Sequence, residues 1–435
     1  MAERALVIGL GVAGASAARR LAERGWEVTV VEDHPSDASR SRAEGLLAAV
    51  VESPPDVATY VDATDVVVPS PGVPIAHPAI QRALLTGRTV WTEFELASRW
   101  SSVPMVAITG TNGKTTVTTL VESMLRASGL RTIAAGNTDV PLVDAIVDDL
   151  DVIVVEASSF RLEFTETFRP VVAVWLNLAE DHLDWHPSME AYAAAKARIW
   201  AAQRADDVAV VNAEDPIVMV HAASAPSKVV TFGLSTGDWR VEGGQLRMPD
   251  GRSLLPVDEL WRSLPHDCAN ALAASAAALA AGATEDGVSD ALRSFRGLPH
   301  RLALVGDHGG VRYYDDSKAT DPHAAVAALR AFDSAVLIAG GRNKGLDLSV
   351  LADEADHVRA VVAIGEAAPE VAAAFAGKVP VTTAASMDAA VATARPLAQP
   401  GDAVVLSPAC ASFDWYRNYG QRGDDFARAV REAFA

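Results

Sequence analysis

Three α/β domains in series are the predicted fold. They are a Rossmann-like N-terminal domain over 1–93, a P-loop-type central ATPase domain over 94–297 with a mostly parallel sheet, and a Rossmann-like C-terminal domain over 298–435. Three observations predict it. The apolar run 5–8 empties into a glycine-rich turn, Gly9-Leu-Gly-Val-Ala-Gly14, that opens a helix, and the run 105–109 empties into a second, Gly110-Thr-Asn-Gly-Lys-Thr-Thr116. Short Val/Ile-rich runs alternate with helical stretches along the chain, as parallel strands buried on both faces do.

In the first domain the helix stops near Gly25 and a strand follows over 26–33. The turn at Gly9 to Gly14 is nearly a complete dinucleotide fingerprint, with Glu32 or Asp33 standing where an acid holds a ribose hydroxyl. Alone, this pattern indicates NAD or FAD. Beside the second loop, it indicates a phosphate-bearing ligand at the first helix. A strand over 65–68 runs into Pro69-Ser-Pro-Gly72, which is either a set of free backbone donors at a strand end or a plain proline turn.

Strands in the central domain are expected at 105–110, 131–135, 151–157, 171–177, 207–212 and 228–232. Gly110 and Gly113 let backbone N–H groups close on phosphate oxygens, and the helix N-terminus adds its positive dipole end. Lys114 then reaches the β/γ-phosphates and the Thr115 hydroxyl holds Mg²⁺. Ile108 occupies the first glycine of the longer phosphate-loop pattern, so the motif is a short form. Glu156 ends a strand, where a Mg²⁺-holding carboxylate or an ordinary loop glutamate can stand. Two histidines and three acids crowd the stretch 180–186, and the lack of nearby cysteines favours Mg²⁺ over zinc. Lys196, flanked by alanines on a helix, reads from pattern alone as a snorkelling surface lysine. A turn-rich β-insertion over 233–256 precedes an alanine-rich helix over 267–281 that Gly282 stops.

The third domain shows strands at 311–315, 335–339, 359–364 and 402–406. The segments after three of them carry Lys318, Lys344 and Ser412, a set suited to receiving an anion. Elsewhere the chain is acidic, with a formal charge of −19 and a pI near 4.9, which argues against a nucleic-acid partner. Its 435 residues exceed one ordinary core. Cys268 and Cys410 alone fit a reducing cytoplasm rather than a disulfide framework. Neither a signal-peptide pattern nor an apolar run of membrane-spanning length stands out, so a cytoplasmic enzyme without membrane insertion is expected.

Taken in order, these motifs resemble the Mur ligases of peptidoglycan precursor synthesis, most closely the MurD family, which joins D-glutamate to UDP-N-acetylmuramoyl-L-alanine. The resemblance covers essentially the whole chain. It rests on Gly110-Thr-Asn-Gly-Lys-Thr, Ala179-Glu-Asp-His-Leu-Asp, Gly297-Leu-Pro-His-Arg301, Asp316-Ser-Lys-Ala-Thr320 and Leu406-Ser-Pro-Ala-Cys-Ala-Ser-Phe413. It implies a UDP-sugar held by Gly11, Val12, Ala13, Asp33, Ser70 and Gly72, with Asn137 on the muramoyl part. ATP is implied at Gly110, Thr111, Asn112, Gly113, Lys114, Thr115 and Thr116, with Asn270, Arg301 and Asp316. Thr115, Glu156, His182 and a carbamylated Lys196 are implied as ligands for two Mg²⁺ sites. Glutamate is implied at His182, Thr320, Lys344, Ser412, Phe413 and Tyr419. Lys114, Lys196, His182 and Lys318 are the implied catalytic set, in a monomer whose third domain closes about a hinge near Leu298.

Four positions depart from the family pattern: Arg161 for glutamine, Thr138-Asp139 for Ile-Gly, Asp321 for asparagine, and Asp267 for asparagine. The first three lie where the sugar-peptide and amino-acid substrates are expected. Rival readings are therefore a ligase adding L-glutamate or another acidic amino acid, an NAD-dependent oxidoreductase, and a nucleotide-binding regulator without ligase chemistry.

Overall fold

A computed structural model describes residues 2–147, 149–183 and 185–435. The chain divides into two compact units, one of Met1–Leu178, Trp185–Ser263 and Asp267–Phe295, the other of Ala179–Asp184, Leu264–His266 and Arg296–Ala435.

Unit one contains two parallel sheets. The first is built from β1 (Arg4–Ile8), β2 (Glu27–Glu32), β3 (Ala49–Glu52), β4 (Val66–Pro69) and β5 (Thr89–Val90), in the order β3-β2-β1-β4-β5. The second comprises β6 (Met105–Thr109), β7 (Thr132–Gly136), β8 (Val152–Glu156), β9 (Val172–Trp175), β10 (Val208–Asn212) and β11 (Lys228–Phe232), in the order β11-β10-β9-β6-β8-β7. In each sheet the strand that feeds a glycine turn, β1 or β6, sits where the strand order reverses. Such a reversal opens a crevice at the carboxyl ends of the strands, so both turns lie where parallel sheets bind ligands. Every residue of β6, β8 and β9 is buried, which is why those strands read as unbroken apolar runs. A small antiparallel sheet, β12 (Arg240–Glu242), β13 (Gln245–Arg247) and β14 (Ser253–Pro256), forms the expected insertion.

Gly14 shows why the first turn needs glycine. A Cβ there would lie 2.1 Å from the Gly9 carbonyl oxygen and 2.2 Å from Ser70 Oγ. The helix Val12–Glu23 can therefore approach β1 and the 70–73 loop only without a side chain at that point.

Unit two holds one sheet, β15 (Ala303–His308), β16 (Val311–Asp315), β17 (Ala335–Gly340), β18 (Val358–Ile364), β19 (Val381–Ala384) and β20 (Ala403–Leu406), in the order β15-β16-β20-β17-β18-β19. All pairings are parallel except β15 with β16. The strands that sequence reading left out, β3, β5, β15 and β19, all lie at sheet edges. β3 exposes three of its four residues and β19 two of its four, β5 has only two residues, and β15 contains Gly306 and Asp307, so none carries a buried apolar run. Among the described residues no helix is long and apolar enough to cross a membrane. Both cysteines are buried thiols, which burial pushes up to about 11 for Cys268 and about 12 for Cys410.

Candidate active site

Two glycines give the phosphate loop a backbone that side chains would not allow. Gly110 and Gly113 adopt φ of 154° and 87°, and a Cβ on Gly113 would stand 2.7 Å from Asn270 Oδ1. Asn177, at the end of the neighbouring strand, clamps the loop by accepting from Asn112 N at 2.9 Å and donating to the Asn112 carbonyl at 3.2 Å. Asn270 is thus packed on the loop, and Asn177 is a partner that sequence reasoning missed. The helix Lys114–Ala127 begins at Gly113 with no side-chain cap among the described residues, and a helix N-terminus of this kind is suited to an anion. Lys114 Nζ donates to the Gly110 and Thr111 carbonyls, both at 2.8 Å. Thr115 follows in the first turn, and Thr116 is buried beneath it.

Lys196 corrects the surface reading. It is 1% exposed, its Nζ donates to the same Gly110 carbonyl at 2.8 Å, and it lies 4.4 Å from the centre of the Tyr192 ring. Alanines on its helix let the sheet come close enough to engulf it. Glu156 ends β8, with Oε1 accepting from Asn137 Nδ2 at 2.8 Å. Oε2 is buried and has no hydrogen-bond partner among the described residues. A buried carboxylate oxygen lacking a donor fits a cation ligand, because leaving it unpaired costs about 1–3 kcal/mol or more. Asn137 and Glu156 are thus adjacent.

In the first sheet, Glu32 is used internally: it accepts from Leu10 N at 2.7 Å and His34 N at 3.1 Å. Asp33 remains 37% exposed, oriented by His77 Nε2 at 2.7 Å. Of the two acids, Asp33 is therefore the one free to meet a ligand. Gly11, Val12 and Gly72 are exposed, Ala13 is buried, and Ser70 Oγ donates to the Gly9 carbonyl at 2.7 Å.

In unit two, β16, β20 and β17 are neighbours, which brings the segments carrying Lys318, Ser412 and Lys344 to one edge. The backbone then welds them: Ala409 N donates to the Ala319 carbonyl, Gly340 N to the Pro408 carbonyl, and Arg342 and Ala411 exchange both bonds. Arg422, 1% exposed, donates to Ser317 Oγ at 2.9 Å, the Ser317 carbonyl at 2.8 Å and the Cys410 carbonyl at 3.0 Å. Burial lowers its guanidinium to about 10. Nothing in the sequence distinguishes this arginine from a surface one on the same helix. Lys318 Nζ lies 4.0 Å from the centre of the Tyr419 ring, and Lys344 Nζ pairs with Asp181 Oδ1 at 2.6 Å. Burial opposes ionisation of Asp181, but His182 and Lys344 outweigh it and hold the carboxyl below its usual value. Asp316 accepts from Leu302 N at 3.1 Å and Ser407 Oγ at 2.7 Å. Thr320 and Arg301 are half-buried, Ser412 is buried, and Phe413 is 62% exposed.

The dense stretch 180–186 does not form a metal cluster by itself. Among the described residues no group of three or more His, Cys, Asp and Glu could hold an ion, and Asp184 lies outside the described residues. Asp181 is taken by His182 and Lys344, and His186 Nε2 pairs with Ser159 Oγ at 2.8 Å.

Four of the five departing residues have partners within the fold, and Asp139 is exposed. Arg161 pairs with Glu93 in the interior, Thr138 Oγ1 closes its own turn on Val140, Asp321 caps the helix Pro322–Leu329 through Ala324 N, and Asp267 is paired with Arg262 at 2.6 Å. Aspartate and asparagine cap helices about equally well. Arg161→Gln is expected to cost about 3–5 kcal/mol, because it strands the Glu93 carboxylate. Burial raises the Glu93 carboxyl, so the folded variant binds the proton more tightly than the unfolded chain does. Its stability should then fall as pH rises above the ordinary carboxylate range, a slope that chemical denaturation at several pH values would measure.

Family models match two segments: a Mur ligase middle domain over 108–278 and a Mur ligase glutamate ligase domain over 300–410. A third model, for FAD-dependent oxidoreductases, matches 4–103, the sheet with the dinucleotide-type turn. A UDP-N-acetylmuramoylalanine–D-glutamate ligase of Frankia casuarinae is 44% identical, over 98% of this chain and 93% of its own. Its counterpart in Desulfosudis oleivorans is 42% identical, over 99% and 96%. Among solved structures, a UDP-N-acetylmuramate-alanine ligase of Thermotoga maritima superimposes with a TM-score of 0.61 at 18% identity, covering all of both chains, a likeness of fold. With the phosphate loop, the welded strand ends and this full-length similarity together, the chain belongs to the Mur ligase family, among the UDP-N-acetylmuramoylalanine–D-glutamate ligases.

Proposed function

We propose that the chain is an ATP-dependent ligase joining D-glutamate to UDP-N-acetylmuramoyl-L-alanine, with release of ADP and phosphate, in cytoplasmic peptidoglycan precursor synthesis. The observation that carries this reading is the uncapped phosphate loop with Lys114 folded over it, in a chain 44% identical to a named ligase of this type. In it, residues 1–93 take the UDP-sugar, 94–297 take ATP, and 298–435 take glutamate.

The L-alanyl carboxylate attacks the γ-phosphorus, ADP leaves, and an acyl phosphate forms. The glutamate amine then adds to the acyl carbon, loses a proton, and phosphate departs from the tetrahedral intermediate. Lys114 and the helix terminus offset the repulsion between carboxylate and triphosphate. Mg²⁺, when bound, supplies further charge neutralisation, and Glu156, Thr115, His182 and Lys196 are the residues that would hold two such ions. For Lys196 this needs a carbamate, formed when the neutral amine adds to CO₂ and loses a proton. Burial favours that neutral amine, and the carbamate N–H can keep its bond to the Gly110 carbonyl. Lys344, Ser412, Thr320, Phe413 and Tyr419 receive glutamate, with Lys318 beside them. The enzyme is read as a monomer.

Phosphate release with ATP, Mg²⁺ and UDP-N-acetylmuramoyl-L-alanine tests the reading, with D-glutamate in one assay and L-glutamate in another. Release with D-glutamate alone is expected. Release with L-glutamate alone would reassign the amino-acid pocket, and release with neither would leave only the fold.

A further inference from the structure

The turn Ser70-Pro-Gly-Val73, which the reading above gives to the UDP-sugar, is held at both ends. Ser70 N donates to the Ile8 carbonyl at 2.8 Å, and Val73 N closes the turn on the Ser70 carbonyl at 2.9 Å. At the far end, the Val73 carbonyl accepts the indole N–H of Trp185 at 3.1 Å. This bond joins residues 112 positions apart. Behind it runs a continuous series of rings. Trp185 packs on Phe160 at 4.7 Å and on His186 at 4.5 Å, His186 packs on Tyr192 at 5.0 Å, and Tyr192 OH meets Thr111 Oγ1 of the phosphate loop at 3.3 Å. His186 is fixed sideways by Ser159 Oγ, and Tyr192 is 1% exposed.

We propose that Trp185 is a positioning residue for the acceptor: its indole N–H fixes the 70–73 turn, and the rings behind it set that turn against the phosphate loop. The inference rests on the reading that this turn holds the UDP-sugar. Indole has one donor and no acceptor, so Trp185 can do nothing polar here except hold a carbonyl. Phenylalanine would stack equally well on Phe160 and His186 but could not hold Val73. A turn fixed before binding does not have to be ordered by the substrate, so its fixing appears as acceptor affinity. A carboxylate that must meet the γ-phosphorus in line is sensitive to small displacements of the turn.

Trp185→Phe, Trp185→Ala and Asp33→Ala should be compared in the full chain, by KM for each substrate, calorimetric binding of UDP-N-acetylmuramoyl-L-alanine, and thermal unfolding. Trp185→Phe is expected to weaken acceptor binding about three- to tenfold, the range for one net hydrogen bond. It should leave the KM values for ATP and glutamate within about twofold and the unfolding temperature nearly unchanged. Trp185→Ala should add a loss of thermal stability, and Asp33→Ala should also weaken the acceptor. If Asp33→Ala weakens the acceptor and Trp185→Phe does not, the proposal falls while the placement of the UDP-sugar stands. If Trp185→Phe instead raises all three KM values and lowers the unfolding temperature, the residue is ordinary packing and the proposal is overturned. If Asp33→Ala leaves acceptor binding intact, the placement fails and takes the proposal with it.

Discussion

Lys114→Ala is expected to reduce phosphate release by more than about a thousandfold, at or beyond the upper end of what losing one preorganised donor costs. The chain carries a net charge of −19, so a triphosphate and a carboxylate meet inside an already repulsive field. The phosphate loop opposes that field with the positive end of the helix Lys114–Ala127 and with the ammonium of its first residue. That ammonium donates to two loop carbonyls, at Gly110 and Thr111. Moving it onto phosphate exchanges neutral acceptors for a charged one, a gain that strengthens as negative charge builds in transfer. Arginine should not restore the rate, since its longer planar fork cannot occupy the same point. The loss should appear in kcat, measured by coupled ADP detection, with the unfolding temperature almost unchanged. A variant rate within tenfold of wild type would remove the phosphate loop from the reaction and the ATP-dependent reading with it.

Lys114 was legible because its meaning is local: two glycines, a lysine and a hydroxyl at a strand-to-helix turn need no other part of the chain. The strands were most directly legible where they are central, although the edge strands over 132–136 and 228–232 were legible as well. Residues 105–109 and 152–156 are buried throughout, and an apolar run is their direct trace. Lys196 was marked by the family resemblance but not legible from its own pattern, because alanines around a lysine look the same whether the helix faces water or a sheet. Its burial and its bond to Gly110, 86 residues away, are set by the packing of the second sheet. Arg422 and Asp181 were hidden for the same reason: one binds residues 105 positions upstream, the other pairs with Lys344 across 163 positions. Departures from the family pattern looked like pocket changes in the sequence because their partners are equally remote. Glu93 answers Arg161 from 68 positions away.

Glu156→Gln should separate stability from activity. In the folded chain Oε1 is satisfied by Asn137, while Oε2 is buried with no partner among the described residues, so the carboxylate is held in place at a cost. The amide keeps the shape and the bond from Asn137 but buries no charge, and the ligand-free variant is expected to gain about 1–2 kcal/mol. Turnover should fall about a hundred- to thousandfold, since the carboxylate is an anionic member of the set proposed to receive Mg²⁺. Linkage gives a third readout that neither effect alone produces. Whatever binds only the folded state raises its stability by RT ln(1 + [L]/Kd), so Mg²⁺ with ATP should raise the unfolding temperature of wild type more than that of the variant. The three results together would mean that the strand end is kept strained for a cation. A variant that unfolds at a lower temperature without ligand, yet turns over normally, would make Glu156 a structural partner of Asn137 and nothing more.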